Sequence, residues 1–237
     1  MINQYTLRLY NMLFSLLELR RRILQVSLFL LAWFVLFFCL SSELFHLLVA
    51  PLMRALPAQD SLIATQITAP VLTPIRLALD AALLCTAPFA LFHVWKFVSP
   101  GLYHGERVGL QWLLAGSLTL FGVGVLFCFY SVLPFMFRLF SYARPPGVRF
   151  MPDMTCTVDF ILHMLLLFGL CFQLPLVCVV LVRFGLLTVA TLTTLRPYVI
   201  VIAFIVGMLL TPPDVLSQLM LAIPLCLLYE VGILLSR

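Results

Sequence analysis

The stretch Ile23-Leu-Gln-Val-Ser-Leu-Phe-Leu-Leu-Ala-Trp-Phe-Val-Leu-Phe-Phe-Cys-Leu-Ser-Ser42 decides what kind of molecule this chain becomes. It runs 20 residues without Asp, Glu, Lys or Arg. A helix of that length rises roughly 30 Å, the thickness of a bilayer's hydrocarbon core. Its surroundings have the same character: 64% of the 237 residues are hydrophobic and 10% are charged. Soluble domains carry about 45–50% apolar and about a quarter charged residues, so an ordinary water-soluble fold is excluded. The run is also too long for the core of a cleavable signal peptide and lacks a small-residue cleavage site after it, so it is expected to stay as an anchor.

Working outward, five further apolar segments can be read. Leu77–Trp95 holds one charge, Asp80, and Val108–Leu133 holds none. Phe160–Val182 follows, and then Tyr198–Leu210 and Val215–Tyr229 flank Thr211-Pro212-Pro213-Asp214. Consecutive prolines remove backbone donors and stop a helix, so the last two segments form a hairpin. Its first arm has only 13 residues, roughly 20 Å of helix, short for a core of about 30 Å unless it extends into its flanks or thins the bilayer. The expected fold is therefore all-α: a single polytopic membrane domain over residues 1–237, with six spans at 23–42, 77–95, 108–133, 160–182, 198–210 and 215–229, the last two short. No internal repeat relates the first three spans to the last three.

Six spans place both termini on one side. Nine of the 14 basic residues fall on that side and five (Arg54, Arg76, Arg138, Arg144, Arg149) on the other, so the positive-inside rule puts the termini in the cytoplasm. The net charge of +5 could point to nucleic acid, but the basic residues are scattered between apolar runs in the pattern membrane topology requires. The outer segments, about Ser41–Pro74 and Pro134–Asp159, are Pro-rich and read as ordered caps.

Chemistry is sparse. Neither an HExxH nor a serine-nucleophile signature occurs, and six of the seven cysteines lie within apolar runs, with only Cys156 in an expected aqueous loop. They read as small packing residues; no metal, cofactor or catalytic constellation is expected. His163 is expected to pack or bond between helices. Arg76 and Asp80, four apart, are expected to pair. Glu18 lies in Leu16-Leu17-Glu18-Leu19-Arg20-Arg21-Arg22, where the simplest reading is an arginine-rich anchor with a Glu18–Arg22 pair. Glu106 alone reads as a solvated loop carboxylate, yet two carboxylates on one face could hold two guanidinium groups by bidentate bonds. Gln173 is the deepest neutral polar group, and Pro175 frees the carbonyl of Cys171. Such an amide seeks a partner within the chain or on another helix.

Taken together, Glu18-Leu19-Arg20, Phe97-Val98-Ser99-Pro100-Gly101-Leu102-Tyr103 with Glu106-Arg107, Arg196-Pro197-Tyr198, Gly207-Met208-Leu209-Leu210-Thr211-Pro212-Pro213-Asp214, Ser217-Gln218, Leu221-Ala222-Ile223-Pro224 and Tyr229-Glu230 resemble the TatC family of the twin-arginine protein translocase. Phe168-Gly169 and Pro175 extend the match across the fourth span. The resemblance implies a six-helix, cup-shaped receptor in the bacterial inner membrane that recognises twin-arginine signal peptides of folded precursors and recruits TatA and TatB for export driven by the proton-motive force. It implies that Glu18 and Glu106 receive the two arginines, with Arg20 and Phe97 completing the surface. It also implies that Gln173, Met208, Thr211 and Gln218 meet the single helix of TatA or TatB, and that further copies of the receptor and membrane lipid are partners. Many members carry Glu where this chain has Gln173, which keeps the hydrogen bonding and removes the titratable proton. The competing reading is a small secondary transporter, drawn from Gln173, Asp80 and the prolines at 88, 175 and 224. The missing inverted repeat and the lack of a second polar cluster at mid-depth count against it. An intramembrane protease lacks a nucleophile.

Overall fold

The computed structural model describes the backbone of residues 2–55, 62–98, 107–142, 151–210 and 215–237, with side chains from residue 18 onward except at 54–55, 97–98, 107–112, 210 and 217. The described residues are almost wholly helical: α1 (Ile2–Cys39), α2 (Ser41–Ala55), α3 (Ala69–Val98), α4 (Arg107–Phe127), a π-turn (Cys128–Val132), α5 (Leu133–Tyr142), α6 (Met154–Cys171), α7 (Leu174–Arg183), α8 (Val189–Thr194), α9 (Arg196–Leu210) and α10 (Val215–Leu235). Among them, five segments are long and apolar enough to cross a membrane, while Arg196–Leu209 falls short. The chain is a multi-pass membrane helical bundle.

Two prolines set the breaks in the longer segments. The ring of Pro134 opposes the carbonyl of Tyr130 one turn earlier and brings no N–H, so the helix widens there and the Leu133 N–H reaches back to Cys128 O. The ring of Pro175 likewise opposes the carbonyl of Cys171, with the opposite local outcome. The ladder tightens to Gln173 N–H on Leu170 O at 3.0 Å before α7 resumes with Val177 N–H on Gln173 O at 2.9 Å. The fourth apolar segment is thus two helices jointed at Phe172–Gln173. At its far end Gly185 takes φ +66, and the Leu186 N–H closes on Leu181 O at 3.0 Å, the left-handed closure that glycine permits without strain.

Helix α6 is the centre of the bundle, lying against α3 and α4, with α1 outside α3 and α10 against α7 and α9. Ile161, Leu162, Met164, Leu165 and Phe168 are buried. Lipid is as apolar as leucine, so close fit rather than water release holds such helices together. Glycine supplies the fit: a Cβ on Gly169 would lie 2.6 Å from the Phe121 ring, and one on Gly124 2.8 Å from Phe168 O and the Phe172 ring. Ala78, Ala81 and Ala82 are likewise buried on α3. Farther along α3, Phe89 stacks on Phe29 of α1 at 4.4 Å between centroids.

Two sequence expectations change, and of the two readings left open for the hairpin helices the extended one is seen. Arg76 pairs not with Asp80 but with Asp159 of α6, at 3.3 Å; four-residue spacing makes a pair available within one helix, but the packed neighbour offers a second carboxylate. Asp80 lies near Asp159, Arg76 and His163, while His163 places Nδ1 2.6 Å from the Asp159 carbonyl of its own helix. Cys156 lies in the first turn of α6 rather than in a loop, because that helix begins at Met154. Finally, α10 continues through Glu230 to Leu235, since nothing after Tyr229 stops a helix and Arg196 satisfies the Glu230 carboxylate at 2.8 Å.

Asp153 joins the two Pro-rich segments. Its carboxylate caps α6 by accepting the Thr155 and Cys156 N–H groups at 2.9 and 3.1 Å. It also accepts from the Thr65 N–H at 3.0 Å and the Thr65 hydroxyl at 2.5 Å. The Ile63 N–H beside it bonds Pro152 O at 3.2 Å, and the Met154 N–H bonds Ile63 O at 2.9 Å. The Thr65 hydroxyl, then the backbone N–H groups, hold the carboxyl well below the usual carboxylate range. A group depressed in this way contributes its stability above the ordinary value of 3.8 and loses it as pH falls through the folded value. Asp153→Ala is expected to cost about 1 kcal/mol, the typical worth of an N-cap. Asp153→Asn, which still caps but does not titrate, should flatten the acid end of the melting-temperature profile. Unchanged acid sensitivity in the Asn variant would place the dependence elsewhere.

Candidate functional site

Two hydrogen-bonded braces converge on the end of α3 that carries Trp95, Lys96 and Phe97. The first comes from α1. Glu18 is ion-paired with Arg22 one turn on, and Arg22 also donates to the His93 carbonyl of α3 at 3.2 Å. The Arg22 side chain is only 12% exposed, while that of Glu18 is 44% exposed. One guanidinium therefore stitches two helices together and fixes a carboxylate that stays open to an incoming donor. Arg20, two residues on, is also exposed. Each carboxylate oxygen can accept more than one bond, so Glu18 keeps acceptor capacity beyond Arg22.

The second brace lies deeper. Gln173 is 4% exposed. Its Oε1 accepts from the Ser117 hydroxyl at 2.8 Å and its Nε2 donates to the Ser117 carbonyl at 2.8 Å. The Trp95 indole N–H in turn donates to the Ser117 hydroxyl at 3.1 Å. The chain Trp95–Ser117–Gln173 joins α3, α4 and the joint between α6 and α7. Of the two partners open to Gln173 in the sequence, the structure gives it the one inside the chain, so the amide needs no other helix to be satisfied. The bland reading of the Glu18–Arg22 pair is likewise present, with the added anchor on α3.

The remaining expected residues divide. The backbone of Phe97 is in α3 and its side chain lies outside the described residues, as do Glu106 and Thr211. On the short hairpin, Met208 points outward, 57% exposed. Gln218 is half-buried and donates to the Phe204 carbonyl at 2.8 Å, across the close approach where Gly207 faces it. At the other end of the hairpin, the Tyr229 hydroxyl donates to Leu192 O at 2.8 Å and Arg196 holds Glu230. The α9 face beside Met208, including Val201, Ile205 and Leu209, is exposed and apolar. Among the described residues no group of His, Cys, Asp and Glu could hold a metal ion.

Sequence reasoning passed over Ser117 and Trp95. A signal existed: Ser117 stands as far from Val108 as Gln173 stands from Val182. In antiparallel neighbours this puts the two polar groups at one depth, where each is the other's natural partner.

Comparison with known proteins gives a consistent result. The sequence model described as Sec-independent protein translocase protein (TatC) matches residues 15–224. The Sec-independent protein translocase protein TatC of Haemophilus influenzae is 41% identical over 222 residues, covering 94% of this chain and 87% of that protein. Its counterpart in Escherichia coli K12 is 40% identical over 225 residues, covering 94% and 86%. A crystal structure of the twin-arginine translocase receptor TatC superimposes with a TM-score of 0.85 at 32% identity, covering 94% of this chain and 97% of that one.

Proposed function

Since the chain belongs to the TatC family, core subunits of the Sec-independent twin-arginine translocase, we propose that it receives twin-arginine signal peptides at the cytoplasmic face of the inner membrane and hands their folded precursors to TatA and TatB. It acts by binding and assembly, not by catalysis. The observation that carries this reading is the Glu18 carboxylate, open to solvent and held on α3 by the Arg22–His93 stitch. Arginine pairs are planar bidentate donors, matched to carboxylate acceptors at an aqueous edge that they reach before the apolar signal segment enters lipid. Glu106 supplies the second acceptor in this reading, Arg20 and Phe97 border the pair, and the Trp95–Ser117–Gln173 chain keeps the end of α3 in place. Met208, Thr211 and Gln218 mark where the partner helix docks, supported by the exposed apolar face of α9. The site is tested by the binding of a signal peptide and its Lys-Lys counterpart to the purified protein. The reading expects the Lys-Lys form to bind markedly less, because lysine is a point charge without the fork geometry; equal binding overturns it.

The topology follows from the basic-residue count. Both termini and the Lys96–Arg107 loop face the cytoplasm, and Thr211–Gln218 faces outward. In a cysteine-free background, an impermeant maleimide added from outside should label Asp214→Cys and spare His104→Cys. The reverse pattern would invert the whole assignment.

A further inference from the structure

We infer that the groove between α2 and the π-turn–α5 segment binds one anionic phospholipid, its phosphate on Arg138 and an acyl chain along Leu47, Pro51, Phe129 and Tyr130. The groove has a volume of about 510 Å³ and is lined by α2 on one side and by the π-turn and α5 on the other, within the range of about 300–1,000 Å³ typical of small-molecule sites. Its walls are built by features that the twin-arginine site does not use. Tyr130, Pro134 and Arg138 recur at four-residue spacing and share one helix face, and the extra residue of the π-turn Cys128–Val132 sets how Phe129 and Tyr130 meet α2. Such turns inside helices are frequent at functional positions. Pro51 is buried against this wall while Leu47 and Tyr130 remain 61% and 70% exposed.

The charge selects the ligand. Among the described residues Arg138 is the one charged residue in the lining; it is exposed, and it forms no ion pair with any described residue. With no Asp or Glu among the described lining residues, the ammonium of a zwitterionic headgroup meets no carboxylate there, whereas a phosphate with a neutral headgroup is complemented. Depth agrees. From Val108 the helical path to Arg138 is about 45 Å against a hydrocarbon core of about 30 Å, which carries the guanidinium into the headgroup layer. The apolar walls run from there toward the hydrocarbon, the arrangement in which arginine and tyrosine normally sit at a membrane interface. The two walls already touch each other, so the space between them suits a flexible chain better than a helix about 10 Å across.

The test is native mass spectrometry of the full chain in detergent, titrated with phosphatidylglycerol and, separately, with phosphatidylcholine of the same acyl chains. Wild type should retain one phosphatidylglycerol in preference to phosphatidylcholine. Arg138→Gln, at an exposed position where the fold is not at risk, should lower that retention by about fivefold, the weight of one arginine near anionic lipid. Ala50→Phe, which fills the groove without touching the charge, should lower it too, with circular dichroism and melting temperature confirming that both variants fold. Excess inorganic phosphate should leave the adduct in place. Equal retention of the two lipids by wild type overturns the proposal, as does unchanged retention in Arg138→Gln. Stripping by inorganic phosphate would reduce the site to a bare anion contact, and capture of a partner helix by a photo-crosslinker at Leu47 would assign the groove to protein. Binding of a twin-arginine peptide should not change in either variant, so this outcome is independent of the receptor function.

Discussion

Replacing Glu18 or Glu106 by alanine is expected to weaken binding of a twin-arginine signal peptide by about 1.5–3 kcal/mol, the worth of a hydrogen bond to a charged group, or roughly tenfold to a hundredfold in Kd. Both carboxylates are assigned to the aqueous edge, so the fold should be spared. In Glu18→Ala, Arg22 keeps the His93 carbonyl, and the seam between α1 and α3 retains its Phe29–Phe89 stack. Melting temperature should therefore stay close to wild type while affinity drops. Glu18→Gln keeps an acceptor but loses the charge and should fall between the two. The double variant should lose less than the sum of the singles, because the two carboxylates serve one ligand. Normal peptide affinity in both single variants would reduce these residues to topological anchors.

Gln173→Leu is expected to lower stability by about 1–3 kcal/mol, since it leaves the buried Ser117 hydroxyl without its acceptor and removes two bonds in one step. Ser117→Ala should act in the same direction by stranding the amide of Gln173 and the indole N–H of Trp95. Gln173→Glu behaves differently. A protonated carboxyl is shaped like the amide, donates to Ser117 O and accepts from the Ser117 hydroxyl, whereas an ionised one can only accept. The Glu variant should match wild type while it holds its proton and lose stability as pH rises through its own titration. Thermal unfolding of the three variants across pH checks this, with crosslinking to the TatA helix followed in parallel. Crosslinking in the Leu variant should persist, because the wild-type amide is spent within the chain. A stable Gln173→Leu protein that has lost its crosslink would return Gln173 to the partner surface.

What could be read from sequence here was whatever one helix decides for itself. Ile23–Ser42 announces a span by composition, Pro175 announces a break because its ring opposes the carbonyl one turn back, and Thr211-Pro212-Pro213-Asp214 announces a stop. Pro134 carried the same kind of signal for the π-turn, and its effect lay one turn upstream, inside a run that looked uniformly apolar. Pairing between helices was less accessible. Arg76 had an in-register carboxylate at Asp80, and nothing local revealed that Asp159, 83 residues away, would be packed beside it. Ser117 and Gln173 are 56 residues apart, and only matching their depths in antiparallel spans would have joined them. The family motifs singled out Arg196, Tyr229 and Glu230, but their physical role emerged only in three dimensions: an ion pair and a hydroxyl-to-carbonyl bond that fasten one end of the short hairpin. Glu18 was legible both as an anchor and as an acceptor; the structure shows its pair with Arg22, and the acceptor role is the one proposed above.

The most direct test of the receptor reading is where the arginine pair lands. A signal peptide carrying a photo-crosslinker next to its two arginines should, on irradiation with the membrane-embedded protein, form an adduct that maps to α1 around Glu18 and to the segment after Phe97. That adduct should vanish for the Lys-Lys peptide and diminish in Glu18→Ala. An adduct of equal yield with Lys-Lys, or one mapping to the opposite ends of the helices, would contradict the assignment of Glu18 as an acceptor of the twin arginines.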